Sequence, residues 1–210
     1  MSRPPFKFEK EDLLEEKSLL DVYRIARLTP PNPLNVAVTL VVFFGCCVYV
    51  VVAGEHQIPV LGLLRAVSSD AIAFTTSILG FLVAGFTIFV TTNPQVFYLM
   101  ARHEKDTTRV SYLKHNLALF LLVFIHYLTF TVLCVTLRVF FASNGPAAFF
   151  LATVPVAAKT LATIKDVGIA VTFVVFVTWL FYLLMLLKSF IFNVYHIVMT
   201  GIALTIEEDD

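Results

Sequence analysis

Four long apolar stretches constrain this chain more than any other feature of its sequence. Each has 20 or more residues, which is roughly the length of helix that crosses the hydrocarbon core of a bilayer. None alternates between lipid-facing and lumen-facing residues as a barrel strand does, and in lipid only helices and closed barrels satisfy their backbone groups. The sequence therefore predicts four transmembrane helices, Leu34–Ala53, Ala71–Thr92, Asn116–Ala142 and Val167–Phe192.

The predicted fold class is all-α, a polytopic membrane protein with cytoplasmic helical extensions, assembled as an oligomer. Hydrophobic residues make up 59% of the chain. Residues 1–33 are predicted to hold a cytoplasmic helix, Glu9–Leu28, and a proline-rich connector. Residues 34–192 form the transmembrane domain, and residues 193–210 form a cytoplasmic extension that ends in an acidic tail. Each extramembrane segment is shorter than the ~40 residues that an independent domain usually needs.

The distribution of Lys and Arg predicts the orientation. Six of these residues precede the first span and four lie between the second and third, whereas the other two loops hold three together. Because cytoplasmic loops carry an excess of Lys and Arg, we expect both termini in the cytoplasm. The formal net charge is zero, so the chain lacks the basic field that direct binding to nucleic acid would use.

Small residues recur along one face of the second span, at alternating spacings of four and three. In lipid, where hydrophobic exclusion cannot drive association, such a face lets another helix approach closely. It favours helix packing over the lining of a pore, with the partner helix in the same chain or in another subunit. We call this set the small-residue strip: Ala73, Ser77, Gly80, Ala84, Thr87 and Thr91.

Apolar residues continue beyond the fourth span, in Ser189–Ile206. One helix over Val167–Ile206 would be about 60 Å long, twice the thickness of the hydrocarbon core. The apolar surface of the extension would then have to be buried against another subunit, a partner or the N-terminal helix. The alternative is that the extension is a fifth span. Together with the small-residue strip, it exceeds what one four-helix bundle can bury, so we predict a homo-oligomer, specifically a tetramer.

The two longer loops have contrasting character. Between the second and third spans we predict a helical hairpin, with one helix over Gln95–Glu104 and Asp106–Thr108 capping the return helix. The outer loop Ser143–Asp166 is largely apolar but contains Pro155 and Lys159, so we expect it to lie in the outer interface as an amphipathic segment or to dip partly into the bilayer.

His126 lies near the middle of the third span, where an ionisable group is costly and a functional role must be considered. A single neighbour would also satisfy a neutral imidazole, with Tyr127, Thr129 and Thr178 as candidates, so a structural role stays open. Four residues share one face of the same helix: Tyr127, Thr131, Cys134 and Arg138. Trp179 is expected to face the bundle, because its indole N–H needs a partner.

Motifs of catalysis are absent from the sequence. It has no Gly-rich phosphate loop, no HExxH, no Gly-x-Ser-x-Gly and no acidic pair within a span. A haem pair would need a second histidine at membrane depth. We therefore predict no catalytic residue, no cofactor and no metal, and a protein that is not an enzyme.

The chain resembles a family of small four-span bacterial membrane proteins associated with defence genes, in particular the membrane component of the Kiwa anti-phage system (KwaA). The resemblance rests on size, on the four spans with cytoplasmic ends, and on the segment Ser77–Phe86. It implies a homotetramer in the bacterial inner membrane that senses envelope perturbation during phage attack. It also implies a signal to a cytosolic DNA-binding partner, and it transfers no site residues.

Two functional hypotheses remain. The first is a non-enzymatic sensor or scaffold that presents cytoplasmic helices to a soluble partner; the second is an oligomeric pore or membrane-disrupting effector. An acidic tail predicted to dock the partner, Glu207, Glu208, Asp209 and Asp210, favours the first. A continuous polar stripe between the two membrane faces would favour the second, and the third span supplies half of one.

Overall fold

A computed structural model describes residues 15–92, 94–102, 104–105, 110–153 and 158–209. Their regular secondary structure is helical except for one pair of two-residue strands, which agrees with the all-α prediction. Four of their helices are long and apolar enough to cross a membrane. The protein is therefore a membrane protein built on four candidate spanning helices.

The described residues form seven helices and two strands. The helices are α1 (Leu19–Ala26), α2 (Pro33–Glu55), α3 (Val60–Thr92), α4 (Pro94–Arg102), α5 (Tyr112–Phe140), α6 (Pro146–Thr153) and α7 (Ala158–Asp209). The strands β1 (Glu104–Lys105) and β2 (Val110–Ser111) pair antiparallel between α4 and α5. The four candidate spans are α2, α3, α5 and most of α7.

α2 begins where the proline-rich connector was expected to end. The side-chain oxygen of Asn32 accepts a hydrogen bond from the backbone N–H of Leu34 at 2.9 Å, and Pro33 occupies the first helical position. α3 differs from its prediction, because it starts at Val60 and not at Ala71. Its extra turns carry Arg65 and Asp70 on an exposed surface, so the apolar pattern ends at these charges while the helix continues.

α1 is shorter than the predicted helix Glu9–Leu28. Residues 1–14 lie outside the described residues, and positions 15–17 are not helical. Ser18 and Asp21 form a capping box, each side chain binding the other's backbone N–H, which sets the start of the helix. A hydrogen bond from the Ser18 hydroxyl holds the pKa of Asp21 below its ordinary value.

The predicted helical hairpin lacks the strand pair that the structure has between its two helices. α4 covers most of the helix expected at Gln95–Glu104 but ends at Arg102, and Glu104 lies in β1, whose pairing with β2 precedes α5. The expected cap at Asp106–Thr108 lies outside the described residues. The return helix expected to run into the third span is α5, which begins at Tyr112 after this backbone pairing.

The region after α5 is also more helical than the sequence indicated. α6 and the first turns of α7 occupy much of Ser143–Asp166, which was expected to be an interfacial loop. α7 then runs for 52 residues, about 78 Å. It contains Val167–Ile206 without a break, so Ser189–Ile206 extends the fourth spanning helix and forms no separate fifth helix.

The chain divides into two compact units, which are described separately. Unit 1 comprises Met1–Pro31, Gly80–Ile125 and Leu186–Asp210, and unit 2 comprises Asn32–Leu79 and His126–Met185.

In unit 2, α7 packs against both α2 and α5. Tyr49 of α2 lies 5.5 Å from Phe173 of α7, measured between ring centroids, and Phe130 of α5 stacks on Phe176 of α7 at 4.9 Å. α2 is the most peripheral span, with only 6% of its most apolar window buried, against 33% for α7. Much of the α2 surface is therefore left for contact with lipid or another chain.

In unit 1, aromatic side chains link three helices. Phe120 of α5 lies 4.8 Å from Phe86 of α3 and 4.6 Å from Phe190 of α7, measured between ring centroids. Farther along α7, Phe192 and Tyr195 remain exposed. The apolar extension that the sequence singled out is thus partly uncovered within the described chain.

Candidate functional site

Hydrogen bonds from hydroxyl groups join three helices inside unit 2. Thr131 of α5 bonds to the side-chain oxygen of Thr75 of α3 at 2.9 Å, and it lies 2.8 Å from the backbone oxygen of Tyr127. The Tyr127 hydroxyl donates to the backbone oxygen of Leu183 in α7 at 3.0 Å, while Thr75 donates to the backbone oxygen of Ala71. These hydroxyls are satisfied by one another and by the backbone, so the cluster can hold helices together in lipid.

The four residues predicted to share one face of α5 differ in burial. Tyr127 and Cys134 are fully buried, and Thr131 is half-buried, whereas Arg138 is exposed in the last turn of the helix. Tyr127, Thr131 and Cys134 therefore belong to the internal packing of this unit. Arg138 is the one of the four that is exposed, in the last turn of the helix.

His126 is half-buried and meets a neighbour that the sequence did not suggest. Its ring packs edge-on against Tyr182 of α7, with 5.8 Å between the centroids. Trp179 faces Phe130 at 5.6 Å, which agrees with the expectation that it points into the bundle. Among the described residues, no group of three His, Cys, Asp or Glu side chains is placed to hold a metal ion.

All six members of the small-residue strip are exposed. The opposite face of α3 is the buried one, with Leu64, Ala71, Thr75 and Leu82. A Cβ built on Gly80 would meet no other atom within 4 Å. The hydroxyls of Ser77, Thr87 and Thr91 donate to their own helix backbone at 2.8–2.9 Å, so the strip presents small side chains whose donors are already satisfied.

Unit 1 contains polar links that sequence reasoning missed. Lys114, at the start of α5, forms ion pairs with Glu16 and, at 3.7 Å, with Glu15. Beside it, the fully buried His115 lies 3.3 Å from the Thr29 hydroxyl, measured from Nε2. These contacts hold both ends of the 15–29 segment against α5. The sequence had indicated only a positive charge on Lys114.

The acidic tail is only partly described. The backbone of Glu207, Glu208 and Asp209 continues α7, and the placement of their side chains lies outside the description. Asp210 lies outside the described residues altogether. The predicted docking role of these four residues therefore stays a prediction.

An open groove between α2 and α7 was also missed by sequence reasoning. It has a volume of about 320 Å³ and is lined by Thr39, Phe43, Val175, Thr178, Trp179 and Tyr182. α2 and α7 are joined on either side of it, by the bond from the Asn35 amide to the backbone oxygen of Met185 at 3.2 Å and by the Tyr49–Phe173 contact. We call this the α2–α7 groove.

No protein-family model, curated protein or solved structure matches the chain.

Proposed function

We propose that this protein is a non-enzymatic membrane sensor or scaffold that works as a homo-oligomer, specifically a homotetramer. The exposed small-residue strip carries this proposal. Single exposed apolar residues on a spanning helix are ordinary, but a strip of small residues with satisfied hydroxyls suits close approach of a second helix. The strip occupies the face of α3 that its own chain leaves open.

The setting is the bacterial inner membrane with both termini in the cytoplasm. Perturbation of that membrane, as in phage attack, is the stimulus we propose, and a cytosolic protein is the receiver. The resemblance to defence-associated membrane proteins supports this setting. Two features of unit 1 support the presence of a receiving surface, the surface to which the cytosolic protein would bind. The 15–29 segment is held against α5 by polar contacts, and α7 continues as a partly uncovered apolar helix.

The polar groups of the spanning helices favour a sensor over a pore. The Tyr127–Thr131–Thr75 cluster uses its hydroxyls within the chain. A pore would need polar groups directed to a common water-filled path.

A paired substitution tests the oligomer. Gly80→Leu with Ala84→Leu places two large side chains in the middle of the strip, where close approach becomes impossible. We expect the complex to dissociate in mild detergent, as measured by size-exclusion chromatography with light scattering.

The control adds a smaller bulk elsewhere, one methylene at each of two positions. Val41→Leu with Val48→Leu enlarges two exposed residues of α2, 72% and 63% exposed, on the side away from the α2–α7 groove. We expect this variant to keep the wild-type mass. If the two variants give the same mass, the small-residue strip is not part of the subunit interface.

A further inference from the structure

The helix α1 has two faces of different character. Ala26 is buried and marks the face that packs within unit 1. On the opposite side, four exposed residues follow the i, i+4, i+7 and i+8 spacing of one helical face, since the backbone hydrogen bonds of the last turn continue past Ala26. We call this set the outer face of α1: Leu20, Arg24, Arg27 and Leu28. Apolar and cationic side chains side by side are typical of a helix in the interface of a membrane.

The contacts of unit 1 place this helix at the level of the lipid headgroups. Glu16 forms an ion pair with Lys114, and the Thr29 hydroxyl lies 3.3 Å from Nε2 of His115. Both ends of the 15–29 segment are therefore within a side chain's length of the first turn of α5. α5 has 29 residues and is about 43 Å long, whereas the hydrocarbon core is about 30 Å thick. With the apolar middle of α5 in the core, its first turn falls in the headgroup region, and α1 lies beside it.

The acidic side chains of the 15–29 segment are engaged within the chain. Glu16 is only 16% exposed in its ion pair with Lys114, and Glu15 lies 3.7 Å from the same ammonium group. Asp21 accepts hydrogen bonds from the backbone N–H and the hydroxyl of Ser18. The negative charge of the segment is therefore largely balanced by groups of the protein itself.

The two arginines of the outer face point away from the protein. The Arg24 side chain is 78% exposed and uses one guanidinium nitrogen in its bond to Asp21 at 3.2 Å. The Arg27 guanidinium lies over the ring of Tyr23, 5.7 Å from its centroid. An arginine has five N–H donors, so both groups keep donors in the planar arrangement that binds a phosphate.

An anionic lipid surface is the partner that matches this face. At headgroup depth, Leu20 and Leu28, which are 67% and 58% exposed, can lie against the acyl chains while the arginines bind phosphate groups. The cytoplasmic leaflet supplies anionic lipids, which attract basic segments close to its surface. An acidic soluble protein would match the charges alone, because it would have to take both leucines out of the lipid boundary.

We infer that the outer face of α1 binds anionic phospholipid at the cytoplasmic surface of the membrane, with Arg24 and Arg27 on the phosphates and the two leucines beside the acyl chains. The inference rests on the proposed membrane setting and adds the lipid surface that the sensor contacts. Because α1 is bonded to the first turn of α5, the contact joins this lipid surface to a spanning helix. It leaves the apolar end of α7 for the cytosolic protein.

Fluorescence quenching by spin-labelled lipids tests the contact in the full-length protein. In a background with Cys46, Cys47 and Cys134 replaced by Ala, Leu20→Cys carries a bimane label. The protein is placed in phosphatidylcholine nanodiscs that contain a small fraction of nitroxide-labelled lipid, either phosphatidylcholine or phosphatidylglycerol. Both leaflets of a nanodisc have the same composition, so the result does not depend on the proposed orientation.

We expect nitroxide phosphatidylglycerol to quench the label more than nitroxide phosphatidylcholine does. The enrichment beside the label should be about fivefold for each arginine that binds, the usual contribution of one cation near an anionic surface. A nitroxide close to the headgroup should quench more than one at the end of the acyl chain, since α1 lies at headgroup depth.

Three paired substitutions show which charges are responsible. Arg24→Gln with Arg27→Gln should abolish the enrichment, whereas Arg24→Lys with Arg27→Lys keeps both charges and should retain most of it. Lys159→Gln with Lys165→Gln is the matched control. It removes two exposed cations from the first turns of α7 and should leave the enrichment beside the α1 label unchanged.

Three results would overturn the inference. If neither lipid quenches the label, the outer face does not touch the bilayer and an acidic protein becomes the better partner. If the two lipids quench equally, the face touches the membrane without selecting anionic headgroups. If Lys159→Gln with Lys165→Gln also abolishes the enrichment, the selection comes from the charge of the whole protein. None of these results depends on the number of subunits, so a failure of the proposed oligomer is recognised separately, by native mass spectrometry.

Discussion

The hydroxyl of Tyr127 allows a measurement of what one polar bond contributes between two spans. Tyr127 is 0% exposed, and its hydroxyl donates to the backbone oxygen of Leu183 at 3.0 Å. Tyr127→Phe removes the donor and keeps the ring. The Leu183 carbonyl lies within α7, where the backbone N–H four residues later also bonds it, so the substitution leaves no buried acceptor unpaired.

The expected loss is small. Hydrogen bonds between spanning helices contribute about 0.6 kcal/mol on average and at most about 1.7 kcal/mol. We therefore expect Tyr127→Phe to lower the free energy of unfolding by about 0.6 kcal/mol. Phe130→Ala should cost more, because it removes a fully buried ring that contacts both Phe176 and Trp179. In a soluble core such a change costs about 3–5 kcal/mol, and in lipid less, since the unfolded helices stay in an apolar medium.

Reversible unfolding in bicelles with increasing dodecyl sulfate, followed by circular dichroism, gives these differences. Val132→Ala, on an exposed position of α5, serves as the control and should change little. A loss above about 1.7 kcal/mol for Tyr127→Phe would mean that the hydroxyl supports more than this one bond. Unchanged stability would mean that the bond does not form in the bilayer.

Alkaline phosphatase fused to the C-terminus should be inactive, because the excess of Lys and Arg predicts a cytoplasmic end; activity there would contradict the orientation. His126→Phe should leave protection against phage unchanged in cells that express the chain, since the proposed receiving surface lies in unit 1 and His126 belongs to unit 2. Reversal of Glu207–Asp210 to Lys should abolish protection without dissociating the oligomer, and the opposite pattern would favour the pore. The depressed pKa of Asp21 means that its contribution to α1 is present above the ordinary value of 3.8 and is lost as the pH falls through the lower folded value. Ser18→Ala should raise that pKa in a carbon-13 titration, and an unchanged pKa would reject the assigned cause.

The spans were predictable because lipid sets a physical length that the sequence must meet. The start of α2 was predictable as well, since Pro33 and Asn32 have strong positional preferences at a helix start. The start of α3 was not, because hydropathy falls at Arg65 and Asp70 while helical backbone continues through exposed charges. A hydropathy pattern reflects the free-energy cost of burying a charged group. A charged residue on an exposed helix face has no such cost, so the pattern does not show whether the helix continues there.

The contacts between helices were less accessible to sequence reasoning. The small-residue strip was recognised from its spacing, yet spacing alone left open whether its own chain covers it. The α2–α7 groove had no sequence signal, since it depends on how far two helices separate between Asn35 and Tyr49. The ring contact of His126 with Tyr182 was not predicted for the same reason. Tyr182 is far away in sequence and becomes a neighbour only through the packing of α5 on α7.

Native mass spectrometry of the wild-type protein, released from its membrane in a mild detergent, tests the central proposal most directly. We expect a complex of about 94 kDa, four times the chain mass of 23.5 kDa. The complex should disappear for Gly80→Leu with Ala84→Leu and persist for Val41→Leu with Val48→Leu. A spectrum that contains only the 23.5 kDa chain would contradict a function that depends on assembly.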